Sequence, residues 1–156
     1  MSLPYEEIVN GETLLRSPPG DRHEKICARL HERIAAGLAD NKVSRLLTVR
    51  SVVQLNAGTM VRPDLALVTA ATGKLWLAVE IINSSDHQPD TVLKKAIYED
   101  VNIARLWMVD PRYDNVELYH GTTYGLALRS ILAGREHLVE SLLPGFDMAV
   151  AELFEG

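Results

Sequence analysis

The apolar positions along the chain follow two periods. Residues 5 to 16, YEEIVNGETLLR, alternate like two short strands around Asn10-Gly11. That pair suits a type I′ hairpin turn, because both residues tolerate positive φ. Ser17-Pro18-Pro19-Gly20 breaks the alternation. Beyond it the period turns helical: Ile26, Leu30, Ile34 and Leu38 recur every fourth residue and make one apolar stripe. Asp21 as the cap, with Glu24 three residues later, matches a capping box and places the helix start. Residues 43 to 56, rich in Val and Leu, predict a strand. VRPDLALVTAATGKLWLAVEII, residues 61 to 82, predicts two apolar strands joined by a tight turn. Pro89 and Asp90 open a second helix, where an acid is favoured by the helix dipole. Leu93, Ile97 and Val101 form its buried side, and Asn102 can end it in the left-handed conformation. RLWMVDP (105 to 111) reads as a buried strand ending at an Asp110-Pro111 turn; DNVELYH and GLALRSIL extend the sheet. The tail LPGFDMAVAELF is weakly patterned, with room for a short helix. Strands outnumber helices, and one helix precedes the long hairpin while another follows it. The pattern predicts an α/β (α+β) fold, a central mixed sheet flanked by helices, in one domain spanning residues 1–156.

Composition narrows the function classes. Hydrophobic content of 47% and charged content of 24% are those of a soluble globular chain. No apolar run reaches the roughly 18 residues of a membrane span. The start, MSLPYEE, lacks the basic and apolar regions of a secretory signal. The lone Cys27 allows no internal disulfide and fits a reducing, cytoplasmic setting. The net charge is −5, with no Lys/Arg block, which argues against tight non-specific binding to nucleic-acid phosphates. An enzyme that meets phosphates through a bound metal stays open.

The strand LWLAVEII poses a problem, since Glu80 lies in its middle. If Ala71-Thr72-Gly73 is a three-residue loop with Gly73 left-handed, facing residues have numbers totalling 144, and Asp64 faces Glu80. Their Cβ atoms would then be about 4.5 to 5.5 Å apart. A two-residue Thr72-Gly73 loop instead puts the acids on different faces. Two facing carboxylates repel, and a divalent cation would compensate them. Hard oxygen ligands suit Mg²⁺, and the backbone carbonyl of Ile81 offers a third oxygen. The plainer reading is that Asp64 ends a turn after Pro63 while Glu80 pairs with a lysine or arginine.

On the second helix Lys94 falls at the margin of the buried stripe, near Tyr98 and Val101, whereas Lys95 points to water. Lys94 can lean toward the sheet and, near a metal and a phosphate, orient a water or offset developing negative charge. A snorkelling surface lysine fits the same pattern.

The order Pro-Asp, then an acid inside an apolar strand, then a lysine resembles the PD-(D/E)xK nuclease superfamily. EIVNGE (7 to 12), His23, RPDLALV (62 to 68), VEIIN (79 to 83), Lys94 with Tyr98, and LWMVDP (106 to 111) together resemble the Uma-two family of restriction endonucleases. The resemblance runs from about residue 5 to the C-terminus. It implies a restriction-endonuclease-like fold and Mg²⁺-dependent (or Mn²⁺-dependent) phosphodiester hydrolysis, with DNA as substrate. It makes Asp64 and Glu80 metal ligands. Ile82 stands where the superfamily normally has its lysine, and Lys94 matches the helix-borne alternative. Asn83 replaces a common serine, and Asn102 a common glycine.

Glu12 and His23 match family positions near the active face. Glu12 either assists metal or water binding or is a solvated strand residue; His23 shares the stripe of Ile26 and Leu30 and reads first as a hydrogen-bonded core histidine. Tyr98 either braces Lys94 or packs, and Cys27 belongs to the core. The expected function is a metal-dependent nuclease in which Asp64 and Glu80 hold Mg²⁺ and Lys94 positions a water. The rival is a non-catalytic binding or assembly module that retains the fold. Homodimer formation through the β-rich C-terminal half is compatible with both.

Overall fold

The computed structural model describes residues 3–83 and 92–155. The first hairpin pairs β1 (Tyr5–Val9) with β2 (Glu12–Arg16), and its turn residues have the positive φ the sequence requires, 51° at Asn10 and 81° at Gly11. Helix α1 (Asp21–Gly37) follows and buries Ile26, Leu30 and Ile34. Its start differs from the expected capping box. Gly20 is the N-cap and Asp21 is already helical, with no side-chain cap bond. Glu24 turns outward to an arginine instead of back to the helix end.

The single strand expected over residues 43 to 56 is two strands in two sheets. They are β3 (Ser44–Leu46) and β4 (Val53–Asn56), separated by a turn in which Ser51 donates to the Thr48 carbonyl and Arg50 has φ +54°. Apolar content alone does not show this break, because Val49 and Val52 in the turn are exposed. Next come β5 (Thr59–Val61), β6 (Leu65–Thr69) and β7 (Leu75–Ile81). Helix α2 (Lys94–Asp100) leads through Asn102, at φ +55°, into β8 (Arg105–Asp110). The chain then forms β9 (Asn115–Thr122), β10 (Gly125–Ala133), β11 (His137–Val139), β12 (Asp147–Ala149) and α3 (Val150–Leu153). The small β11–β12 pair has no counterpart in the sequence reading; α3 is the short helix expected in the tail. The helix-opening roles given to Pro89 and Asp90 lie outside the described residues.

The strands form a six-stranded sheet in the order β10-β9-β8-β7-β6-β3 and a four-stranded sheet in the order β2-β1-β5-β4. In the larger sheet β7 and β8 are parallel, and every other pair is antiparallel. A parallel pair needs a crossover connection, and α2 lies on that connection. Alternation along β7 then assigns the two faces. Leu77, Val79 and Ile81 join α1 and the C-terminal segment in one core, with Trp107 against Phe146. Ala78 and Ile82 join Ile97 and Tyr98 of α2, together with Val61 and Val53 of the smaller sheet, in a second core. Glu80, between Ala78 and Ile82, belongs to the second face.

The hairpin turn is longer than expected. Gly73 is left-handed at φ +72°, but its N–H bonds the Thr69 carbonyl and the Thr69 N–H bonds that of Lys74, so the loop is Ala70–Gly73. Val68 faces Leu75, one short of the predicted register. A bulge at Trp76 then restores it: Leu67 faces Leu77 and Leu65 faces Val79, whose numbers total 144. The register near the acids is the predicted one, set by a four-residue loop plus one surplus residue. Trp76 anchors that surplus by donating from Nε1 to Ser44 Oγ on β3, 3.0 Å away.

The end of α1 meets the tail backbone to backbone. A Cβ on Gly145 would lie 2.4 Å from the Gly37 carbonyl oxygen. Gly145→Ala must push these segments apart and is expected to cost about 1 to 3 kcal/mol. Urea unfolding reads this as a lower midpoint at unchanged slope; an unaltered midpoint would show that the approach is not close.

Candidate functional site

Glu80 emerges from the sheet toward α2, and α2 begins there with Lys94. Lys94 and Tyr98 are one turn apart and share a helix face. Lys94 Nζ donates to Glu80 Oε2 at 2.8 Å and to Glu7 Oε2 at 2.8 Å. The Tyr98 hydroxyl donates to the same Glu80 oxygen at 2.6 Å. Glu7, on β1, also accepts from Arg16 at 2.7 Å and from the Arg62 N–H at 2.7 Å. The Lys94, Glu7 and Glu80 side chains are 2% exposed or less, so the cluster is sealed from solvent. Charges that far from water persist only when paired and hydrogen-bonded, as these are.

The titration behaviour follows from that pairing. Burial pulls the Lys94 ammonium down, but the charges of Glu80 and Glu7 outweigh it and hold its pKa above the ordinary lysine value. Burial pushes Glu7 up, and Lys94, the Arg62 N–H and Arg16 overcome it, leaving Glu7 below the usual carboxylate range. Tyr98 is driven well above its ordinary value by burial, Glu80, Glu7 and Asp64. It is a hydrogen-bond donor and not a phenolate.

Asp64 stands at the start of β6 with its own set of partners. Oδ2 accepts the Ile81 N–H at 2.8 Å, and Oδ1 accepts from Arg50 at 2.9 Å. His23, on α1, places Nε2 3.0 Å from the Ile81 carbonyl and 3.4 Å from Asp64 Oδ2. A carbonyl only accepts, so Nε2 carries the proton. Among the described residues His23 Nδ1 is buried without a hydrogen-bond partner, 3.5 Å from Glu24 Oε1. Burial pushes Asp64 up, yet His23, the Ile81 N–H and Arg50 outweigh it and keep its carboxyl below the usual value. Burial lowers His23, and the hydrogen bond and charge of Asp64 raise it past its ordinary pKa.

The structure therefore brings Glu80, Lys94 and Tyr98 into direct contact, with Asp64 bonded to the next peptide of the same strand. Lys94 is fully buried and not at a margin, because the smaller sheet covers the side of α2 that the sequence left open to water. Lys95 is half-buried over the Tyr119 ring instead of pointing to solvent. His23 is the hydrogen-bonded interior histidine, and it also touches Asp64. Glu12 is exposed at the start of β2, outside the cluster. The carboxylate that joins from this hairpin is Glu7. Its signal is in the sequence: Glu7 shares a strand face with Tyr5 and Val9, the same oddity that singles out Glu80. Arg50 gave no sequence signal, since no period links it to Asp64. Ile82, in the lysine position, is buried among apolar residues, and Asn83 donates to the Pro18 carbonyl at 3.4 Å.

The donor set suits a hard divalent cation: two carboxylates and a peptide oxygen. Cys27 does not add a thiolate, because burial and then the Asp64 charge push its thiol up to about 12. Among the described residues no three His, Cys, Asp or Glu side chains form a ready cage. Arg50 and Lys94 instead supply the positive charge, so a cation here would take over bonds they now make. Beyond the parallel ends of β7 and β8, a cleft of about 330 Å³ opens between Gly20, Arg22, His23, Asn83 and Arg112. Clefts at the carboxyl ends of parallel strands are common ligand sites.

The depressed pKa of Glu7 has a testable sign. A carboxyl held below its unfolded value contributes stability above that value and loses it as the pH falls through the folded one. Glu7→Gln should flatten the acid limb of the stability curve below about pH 5, by up to about 1.4 kcal/mol per pH unit. Urea melts from neutral to acid pH measure this; parallel limbs would mean that Glu7 keeps its ordinary pKa in the folded state.

A structural relative from Anabaena variabilis ATCC 29413, described as "a putative nuclease belonging to DUF820", superposes with a TM-score of 0.80. It covers 97% of this chain and 90% of its own at 14% identity, which establishes a shared fold. No curated protein matches. Residues 3–151 match the model of the Uma2 family, described as "Putative restriction endonuclease". With nearly the whole length matched, the chain belongs to the Uma2 family.

Proposed function

We propose that this protein is a nuclease that hydrolyses DNA phosphodiester bonds with Mg²⁺ or Mn²⁺ held at Asp64 and Glu80. The observation that carries the reading is a buried lysine bonded to one candidate ligand, Glu80, beside a second, Asp64, fixed on the adjacent strand. A divalent cation bound there supplies Lewis acidity and lowers the pKa of a coordinated water. The protein's own residues do the positioning. The Ile81 N–H aims Asp64, and the Tyr98 hydroxyl aims Glu80. The His23 Nε2–H orients the Ile81 carbonyl, the third oxygen of the set. Lys94, sealed against Glu80, would act through that carboxylate, offsetting charge that develops on a phosphate held by the cation. Glu7 tethers Lys94, so the ammonium keeps a buried partner if Glu80 turns to a metal. DNA as the substrate rests on the family.

A second reading keeps the fold without the chemistry: a binding or assembly module. The specific support for it is that Lys94 and Arg50 already balance both carboxylates, with Ile82 in the lysine position. Glu80 is ion-paired without metal, so its loss destabilises the protein under either reading.

Plasmid and single-stranded DNA incubated with Mg²⁺ or Mn²⁺ separate the two. Cleavage should require the metal and fall by about 10²-fold or more in Asp64→Asn and in Lys94→Met. Equal, metal-independent behaviour of wild type and variants on every nucleic acid would favour the assembly module.

A further inference from the structure

Arg50 is the cationic partner at the outer side of Asp64, and its guanidinium is divided between two acids. One guanidinium nitrogen donates to Asp64 Oδ1 at 2.9 Å. The other donates to both oxygens of Glu24, each at 2.7 Å. The two grips use different nitrogens, so releasing Asp64 leaves the Glu24 grip intact. The Asp64 side chain is 3% exposed, Arg50 16% and Glu24 35%, so the Arg50–Glu24 pair lies between solvent and the buried acid. The backbone enforces the placement. Arg50 has φ +54°, a conformation uncommon for a residue with a side chain. It is held there by its N–H on the Asp64 carbonyl at 3.2 Å and by its own carbonyl accepting from Arg62 at 3.1 Å. Strain of this kind persists only where surrounding contacts over-determine it. Here those contacts tie Arg50 to the residue whose carboxylate it neutralises.

We propose that Arg50 is the resident counter-cation of the metal-free site, and that a divalent cation must displace its guanidinium from Asp64, leaving it on Glu24. This rests on Asp64 being a metal ligand. A metal ion at Asp64 and a guanidinium on the same carboxylate repel each other, and burial leaves little water to screen them. Arg50 therefore lowers metal affinity while keeping Asp64 charged and oriented when metal is absent. Arg50 is a positioning residue: it acts on the ligand and not on the substrate.

Calorimetric titration of the metal-free protein with Mn²⁺, without nucleic acid, tests this apart from cleavage. Arg50→Gln should bind Mn²⁺ about tenfold more tightly, within the usual range of coupling between competing sites. Arg50→Gly should do the same; glycine relieves the positive φ, so this variant covers the case in which the glutamine variant folds poorly. Arg33→Gln removes the same charge from a residue paired with Glu152 at the far end of α1 and should stay within about twofold of wild type. If wild type binds Mn²⁺ and the Arg50 variants bind equally or more weakly, or if Arg33→Gln tightens binding as much, displacement is wrong and the metal reading stands. If none of the four proteins binds Mn²⁺, both fall.

Discussion

A buried ammonium between two carboxylates organises this protein. Lys94 is the first residue of α2, Glu80 lies mid-strand in the larger sheet, and Glu7 belongs to the smaller sheet. Three elements distant in sequence thus converge on one nitrogen. Orphaning any of the three would leave charge where water cannot reach it, at a cost of several kcal/mol. The cluster is therefore both a joint between the two sheets and a candidate chemical centre. Such an arrangement is held in place by the fold itself and needs no ligand to form.

Local pattern made much of this legible. The Asn10-Gly11 turn, the apolar stripe of α1 and the position of Asn102 follow from short-range chemistry, and the structure has each of them. Glu80 was conspicuous because the alternation of β7 left it on an apolar face. Glu7 obeys the same rule, but Glu12, next to the turn, is the acid of this hairpin that local pattern makes accessible. The end of a hairpin is where a strand residue is most easily solvated, and Glu12 is exposed there. Arg50 was illegible for a different reason. Its side chain is aimed by a left-handed turn and by long-range backbone bonds, and neither leaves a period in the sequence. The division of residues 43 to 56 between two sheets was hidden likewise, since it depends on tertiary pairing and not on composition.

The two positive side chains at the acids differ in kind. Lys94 is sealed in and bound to two carboxylates, so its position is part of the folded state. Arg50 is nearer to solvent and shares its hydrogen bonds between an interior acid and a surface one. One cation is thus fixed by the fold, and the proposed displacement concerns only the other. That asymmetry leaves a protein of acidic net charge with one acid sealed behind its ion pair and the other paired nearer to solvent.

The bulge at Trp76 carries a consequence for how the loop can change over evolution. Side chains along a strand flip faces with every residue, so the geometry of the acids depends on whether the count from turn to site is odd or even. With its four-residue loop, the hairpin has the wrong parity at its tip and the right one at its base, and a single tryptophan, moored to β3 beyond the intervening β6, makes up the difference. A descendant that trimmed the tip by one residue could dispense with the tryptophan's detour; one that lost the detour alone would carry its two acids to opposite sides of the sheet.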